Sequence, residues 1–178
     1  NMLSKKPITK LEDLKGLKNR TIPVESLILG WKALGSSVVG LSFSEVYTSL
    51  STNLIQAVDN PIADMYHEKF HEVTDYLCMT KDLVNVVSWN FSEKVWQSLT
   101  PQEQKWVSET AVEIQPAIKA WADKDDAAAL EAFKKKGIKI IDTDLTGLAD
   151  KISANIDQIL GGDEEIIQMY KDIRAAQK

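Results

Sequence analysis

Tyr66-His67-Glu68-Lys69-Phe70-His71 sets two imidazoles four residues apart with a carboxylate between them. On a helix this H-E-x-x-H pattern can place both rings on one zinc ion, with the glutamate activating a water. The chemistry would be metal-assisted hydrolysis. It needs a third ligand, supporting carboxylates and a dry cleft. The extended pattern asks for glycine at position 74 and histidine at 77, where the chain has Thr74 and Leu77. There is no third histidine, and nothing near Glu93 singles it out as the substitute. On a helix begun at Pro61, ~100° per residue groups Ile62, Tyr66, Phe70 and Val73 on a buried face. His67 and His71 then turn about 100° and 140° away, toward solvent. A zinc hydrolase using His67, Glu68 and His71 is therefore the alternative reading and a solvated histidine pair the preferred one. No catalytic residue, metal ligand or cofactor is assigned.

The elements around this motif follow from composition, caps and periodicity. With 178 residues, 44% hydrophobic and 26% charged, the chain suffices for one ordinary domain or two small lobes. A net charge of -5 offers no basic footprint for nucleic acid or anionic lipid. No apolar run approaches the ~20 residues of a membrane span. Cys78, the single cysteine, sits in apolar YLCM and reads as a small buried hydrophobe. No charged segment followed by an apolar run opens the chain, which leaves a cytoplasmic, a mature and a truncated protein all open.

Thr9 and Glu12 have capping-box spacing ahead of a short turn closed by Gly16. LKNRTIPV reads as a strand, ESLILGWKALG as a helix stopped by Gly35, and SVVGLS as a second strand. Ser42 and Glu45 open a second helix, LIQAVDN is a third strand, and Asn60-Pro61 caps and starts another helix. This β-α-β-α rhythm predicts an α/β layer architecture. LVNVVSWNF is rich in strand formers. Thr100, Pro101 and Glu103 then mark a long helix with an apolar stripe at Val107, Ala111, Ile114, Ile118 and Trp121, kinked by Pro116 and stopped by Gly137. IKIIDTD is a further strand, and Gly161-Gly162 separates two final helices.

Four stretches, KLEDLKGLKNRTIPV, LGSSVVGLSFSEVYTSLSTNLIQAVDNPI, KFHEVTDYLCMT and VWQSLTPQEQKWV, occur in an order and spacing that resembles one family. These are the DctP-like solute-binding proteins of tripartite ATP-independent periplasmic (TRAP) transporters, matched from about Pro7 to Asp144. The resemblance implies an α/β, periplasmic-binding-protein-like, type II-like fold of two lobes joined by crossover strands and a long helix. It implies a periplasmic receptor, not an enzyme, that closes over a small organic acid and delivers it to the membrane permease subunits. It also implies an incomplete fold lacking most of the N-terminal lobe. Residues 1–85 would be a second-lobe ligand-binding segment, 86–125 a crossover strand and hinge helix belonging partly to the missing lobe, and 126–178 a strand and helices packing back. The strand in VNVVSWNF would then be an open edge, so a homodimer or swapped oligomer is expected. A fragment without ligand, acting as a helical interaction module, is the other alternative.

The resemblance also names site residues. Arg20 matches the family's arginine on a cleft-lining strand, and its planar fork suits both oxygens of a carboxylate. Asn60 matches an asparagine that bonds the same carboxylate, although capping the Pro61 helix is an equal role for it. Phe43 matches an aromatic wall position, with core packing nearly as good a reading. Glu45 and Tyr47 read as cap and packing. Gln56-Ala57 stands where the family usually has Asp-Gly, and His71 where it has tyrosine, so H-E-x-x-H is better explained as coincidence on an outer helix. C4-dicarboxylates, sugar acids, 2-oxo acids and aromatic acids all stay open as ligands.

Overall fold

A computed structural model of the chain describes residues 1–83 and 87–176. Among these, six short strands are β1 (Met2–Ser4), β2 (Lys18–Thr21), β3 (Ser37–Gly40), β4 (Ala57–Asp59), β5 (Tyr76–Met79) and β6 (Lys139–Asp142). They form one sheet in the order β3-β2-β4-β1-β5-β6. Strand β2 runs parallel to both β3 and β4, and β5 parallel to β6. Strand β1 is antiparallel to both of its neighbours, β4 and β5. The helices are α1 (Glu25–Ala33), α2 (Val46–Ser51), α3 (Ile62–His67), α4 (Glu93–Ser98), α5 (Pro101–Glu113), α6 (Gln115–Lys135), α7 (Leu148–Ala154), α8 (Ile156–Ile159) and α9 (Glu164–Ala176).

Strand alternation divides the core into two layers. Leu3, Val58 and Leu77 face α2, α3 and the end of α6 through Val46, Leu50, Met65, Ala129 and Phe133. Met2, Ala57 and Cys78 face the other way, against Trp31, Leu34, Leu11 and Leu14. Cys78 is thus the buried hydrophobe expected. The layering makes the fold α/β, with both faces of a mixed sheet covered by helices.

Most caps act as their spacing predicts. Glu45 accepts from the Ser42 backbone, Thr100 accepts from Glu103 N–H at 3.3 Å, and Gly35 and Gly137 follow their helices at φ 92 and 81. The Thr9 cap differs. Its acid is Asp13, whose Oδ2 accepts from the Thr9 N–H at 2.8 Å, because the 3-10 turn begins at Leu11 and puts Asp13 rather than Glu12 at the third helical position. Ile114 separates α5 from α6, and Pro116 lies in the first turn of α6.

Two expectations meet a different outcome. Of the VNVVSWNF strand, residues 84–86 lie outside the described residues, and 87–91 are irregular, with Val87, Trp89 and Phe91 exposed. A strand needs a bonded neighbour, and none lies beside this stretch among the described residues. The apolar stripe of the long helix is likewise uncovered over its first half, Trp121 being 67% exposed, and becomes buried only at Ala129 and Phe133. Its periodicity marks a face without a covering layer here, so the burial that periodicity predicts is missing.

Candidate ligand-binding site

The chain runs from β2 through α1 to β3 on one side, then returns through α2 to β4 on the other side of β2. Helix α1 lies on one face of the sheet and α2 on the opposite face, as their core partners show. The carboxyl ends of β2 and β4 therefore flank a crevice where strand order reverses, the place where open α/β sheets bind ligands. A hollow of about 440 Å³ sits there, lined by Arg20, Thr21, Asp59, Asn60 and Pro61, with Asp126 of α6 contributing to its wall.

Arg20 is next to last in β2 and only 2% exposed. Its Nε and Nη2 donate to the Leu41 carbonyl at 3.0 and 2.8 Å, which fixes the plane of the guanidinium. Among the described residues its other N–H donors are unused, out of the five a guanidinium carries. Burial lowers its proton affinity and the charge of Asp59 raises it. It stays a cation, since an arginine's ordinary value lies far above neutral pH. The guanidinium carbon also lies 5.7 Å from the Phe43 ring centroid, within cation-π range.

Asn60 follows β4 directly, and its backbone N–H donates to Asn1 O at 3.0 Å. The expected side-chain cap is not made: α3 starts at Ile62, and Ala63 N–H donates instead to Asp126 Oδ1 at 2.9 Å. That helix start is already served by α6, and among the described residues the Asn60 side chain makes no hydrogen bond. Its Oδ1 is sealed from solvent without a hydrogen-bond partner. Arg20 and Asn60 are thus brought to one hollow. Phe43 is not among its lining residues; it is half-buried, edge-on to Phe70 at 5.5 Å, and supports Arg20 from the core layer.

Asp59 and Asp126 also line this hollow, and neither was assigned from the sequence. Asp59 stood next to Asn60 and signalled only an acidic residue before it; Asp126 reaches the hollow from a charged helical run far along the chain. Burial, then the charge of Asp82, push the Asp59 carboxyl up to about 6, against the opposing pull of the Asn1 amino group and Arg20. A second, mainly aliphatic hollow of about 450 Å³ lies beyond Asp59, Leu27 and Leu83, between α1 and the helices α7 to α9.

The histidines take separate positions. Helix α3 ends at His67, and Lys69 adopts a left-handed φ of 60, so His71 falls in a following 3-10 turn and not on the same helical face. His67 is exposed, its Nε2 3.0 Å from Asp125 Oδ2. His71 is buried, contrary to the solvent-facing placement expected for a continuous helix, and stacks on Tyr66 at 5.1 Å and edge-on to Phe133 at 5.6 Å. No group of three His, Cys, Asp or Glu side chains able to hold a metal occurs among the described residues. The zinc reading loses its geometry.

Burial, with Lys136 and Lys69 adding to it, holds the His71 imidazole below its ordinary value. The unfolded chain therefore binds this proton more readily than the folded one. Stability is expected to fall as pH drops through about 6.5 toward the folded value. Urea midpoints measured from pH 7.5 to 5.5 should decline, and His71→Gln should flatten that decline; an unchanged slope would remove His71 as its cause.

The family model for bacterial extracellular solute-binding protein, family 7, matches residues 1–159. The chain belongs to the DctP family. Within that family it is 32% identical over 142 residues to the sialic acid-binding periplasmic protein SiaP of Vibrio cholerae, covering 80% of this chain and 44% of that protein. It is 27% identical over 154 residues to the 2,3-diketo-L-gulonate-binding periplasmic protein YiaO of Escherichia coli, covering 86% and 47%. A TRAP periplasmic solute-binding protein from Desulfovibrio salexigens, solved with orotic acid, superposes at a TM-score of 0.77 with 27% identity over 99% of this chain and 59% of that one. Another from Xanthobacter autotrophicus Py2, with β-D-galacturonate, reaches 0.81 at 24% identity, covering 98% and 58%, and shares the fold. The chain spans about half the length of the curated DctP relatives it matches. These relatives are periplasmic proteins, and the DctP family consists of solute receptors and not enzymes. No described helix is long and apolar enough to cross a membrane.

Proposed function

We propose that this chain supplies the carboxylate-anchoring part of a periplasmic receptor that binds a small organic acid and passes it to TRAP permease subunits. The observation that carries the reading is the convergence of Arg20 and Asn60 on one hollow at the reversal of strand order. Arg20 pairs the carboxylate with its uncommitted donors, and the Leu41 carbonyl holds the fork in position. Asn60 adds a neutral donor. The sealed Asn60 Oδ1 is an acceptor without a partner among the described residues, a cost in the empty protein that a hydroxyl or ammonium donor on the bound acid recovers. Phe43 backs the guanidinium. The ligands named for its relatives, sialic acid, 2,3-diketo-L-gulonate and orotic acid, support a small acid as the ligand class.

Titration calorimetry of the receptor that contains this chain, against a panel of organic acids, tests the reading. One-to-one binding of at least one acid is expected, weakened about ten- to 150-fold in Asn60→Ala, the equivalent of about 1.5–3 kcal/mol for one hydrogen bond to a charged group. Absence of binding by every acid would overturn the reading, and an unchanged affinity in Asn60→Ala would take Asn60 out of the site.

A further inference from the structure

Among its described lining side chains the hollow around Arg20 carries two carboxylates and one cation, and the amino group of Asn1, which also borders it, lies 3.5 Å from Asp82 Oδ1. Arg20 is its one basic side chain among the described lining residues, and Asp59 and Asp126 share the same space. Neither carboxylate neutralises the guanidinium by direct pairing: Arg20 spends its bonds on the Leu41 carbonyl, and Asp126 Oδ1 accepts from Ala63 N–H. Asp82, with its side chain 4% exposed, stands close enough to Asp59 for its charge to be felt there. Burial brings the Asp59 carboxyl up to about 6, which still leaves it ionised at pH 7.5.

We infer that this hollow selects a monocarboxylate whose remaining polar groups are donors, hydroxyl or ammonium, and rejects dicarboxylates, with Asp59 and Asp126 as the selecting residues. The inference rests on the carboxylate-binding reading of Arg20 and Asn60. A ligand carboxylate held by Arg20 cancels the charge of that one basic side chain, and the Asn1 amino group is already paired with Asp82. Any second carboxylate on an acid small enough for a hollow of about 440 Å³ then lies within a Debye length, about 8 Å, of two like charges. Water in so confined a space screens them poorly, so a like charge is disfavoured where a hydroxyl or ammonium is welcomed. Carboxylate oxygens accept only, and they are satisfied only by donors. Asp59 supplies such acceptors beside Asn60, on the wall that both hollows share.

Matched acids that differ at one carbon separate the two classes. The probes are D-glucuronate against D-glucarate, D-galacturonate against galactarate, and butyrate against succinate, each titrated at pH 7.5 into the full receptor and its Asp59→Asn, Asp126→Asn and Arg20→Ala variants. The monocarboxylate of at least one pair is expected to bind tenfold or more tighter than its dicarboxylate, about 1.4 kcal/mol. Asp59→Asn or Asp126→Asn, each isosteric, should shrink that ratio at least about fivefold by strengthening the dicarboxylate. Equal or tighter binding of the dicarboxylate by the unmodified receptor overturns the inference, as does a ratio unmoved in both Asn variants. If the dicarboxylates win and Arg20→Ala still abolishes binding, only the selectivity falls. If no probe binds and Arg20→Ala changes nothing for any other acid, the anchoring reading falls and the selectivity with it.

Discussion

Arg20→Ala in the receptor that contains this chain is expected to weaken organic acid binding at least about thirtyfold. Truncating one partner of a buried, hydrogen-bonded charge pair costs about 2–5 kcal/mol, much of it from leaving the other charge unpaired. Arg20 is 2% exposed, so water cannot replace the guanidinium without refilling the hollow. Arg20→Lys should recover little. An ammonium is a point charge on a flexible stem and cannot hold the Leu41 carbonyl with two bonds while presenting a fork to the ligand. The alanine variant also leaves Leu41 O without its donors, so its circular dichroism and thermal midpoint must be read beside the calorimetry. A folded variant with the affinity of the parent would remove Arg20 from the site.

Phe133→Ala is expected to produce the largest loss of stability, about 3–5 kcal/mol. Phe133 is fully buried and meets both Tyr66 and His71 edge-on, at 5.4 and 5.6 Å. It anchors the end of α6 to the layer that holds α3, and with α6 it carries Asp126 to the start of that helix. A loss of this size is a large part of the ~5–15 kcal/mol typical of a whole domain. The urea midpoint should fall sharply with little change in slope. A change below about 1 kcal/mol would mean that the surrounding side chains close over the gap, and that α6 is held by contacts other than this ring.

Local signals were legible where one short stretch determines its own backbone. Thr100-Pro101-Glu103 capped its helix, Ser42 and Glu45 paired, and the glycines after α1 and α6 took left-handed conformations. Strands β1 and β5 were not read, because three or four apolar residues carry too little period to declare a strand and their partners are distant in sequence. His71 was misplaced through one residue. Lys69 has a positive φ, a conformation its side chain does not advertise, and the break it makes turns His71 from the solvent side into the core. The candidate site was legible only in part. Arg20 and Asn60 are common residue types, and it took the resemblance to single them out. Asp126 was invisible, since only the folded chain brings it beside Ala63, 63 residues earlier. Asn60 looked like a cap because the sequence could not show that α6 had already provided one.

Three residues, Met2–Ser4, bridge the sheet, pairing on one edge with β4 and on the other with β5. The ladder is thereby a seam between a half that carries Arg20 and Asn60 and a half made of β5 and β6. Without those three residues the β5–β6 half would keep no ladder, among the described residues, to the half beneath the hollow.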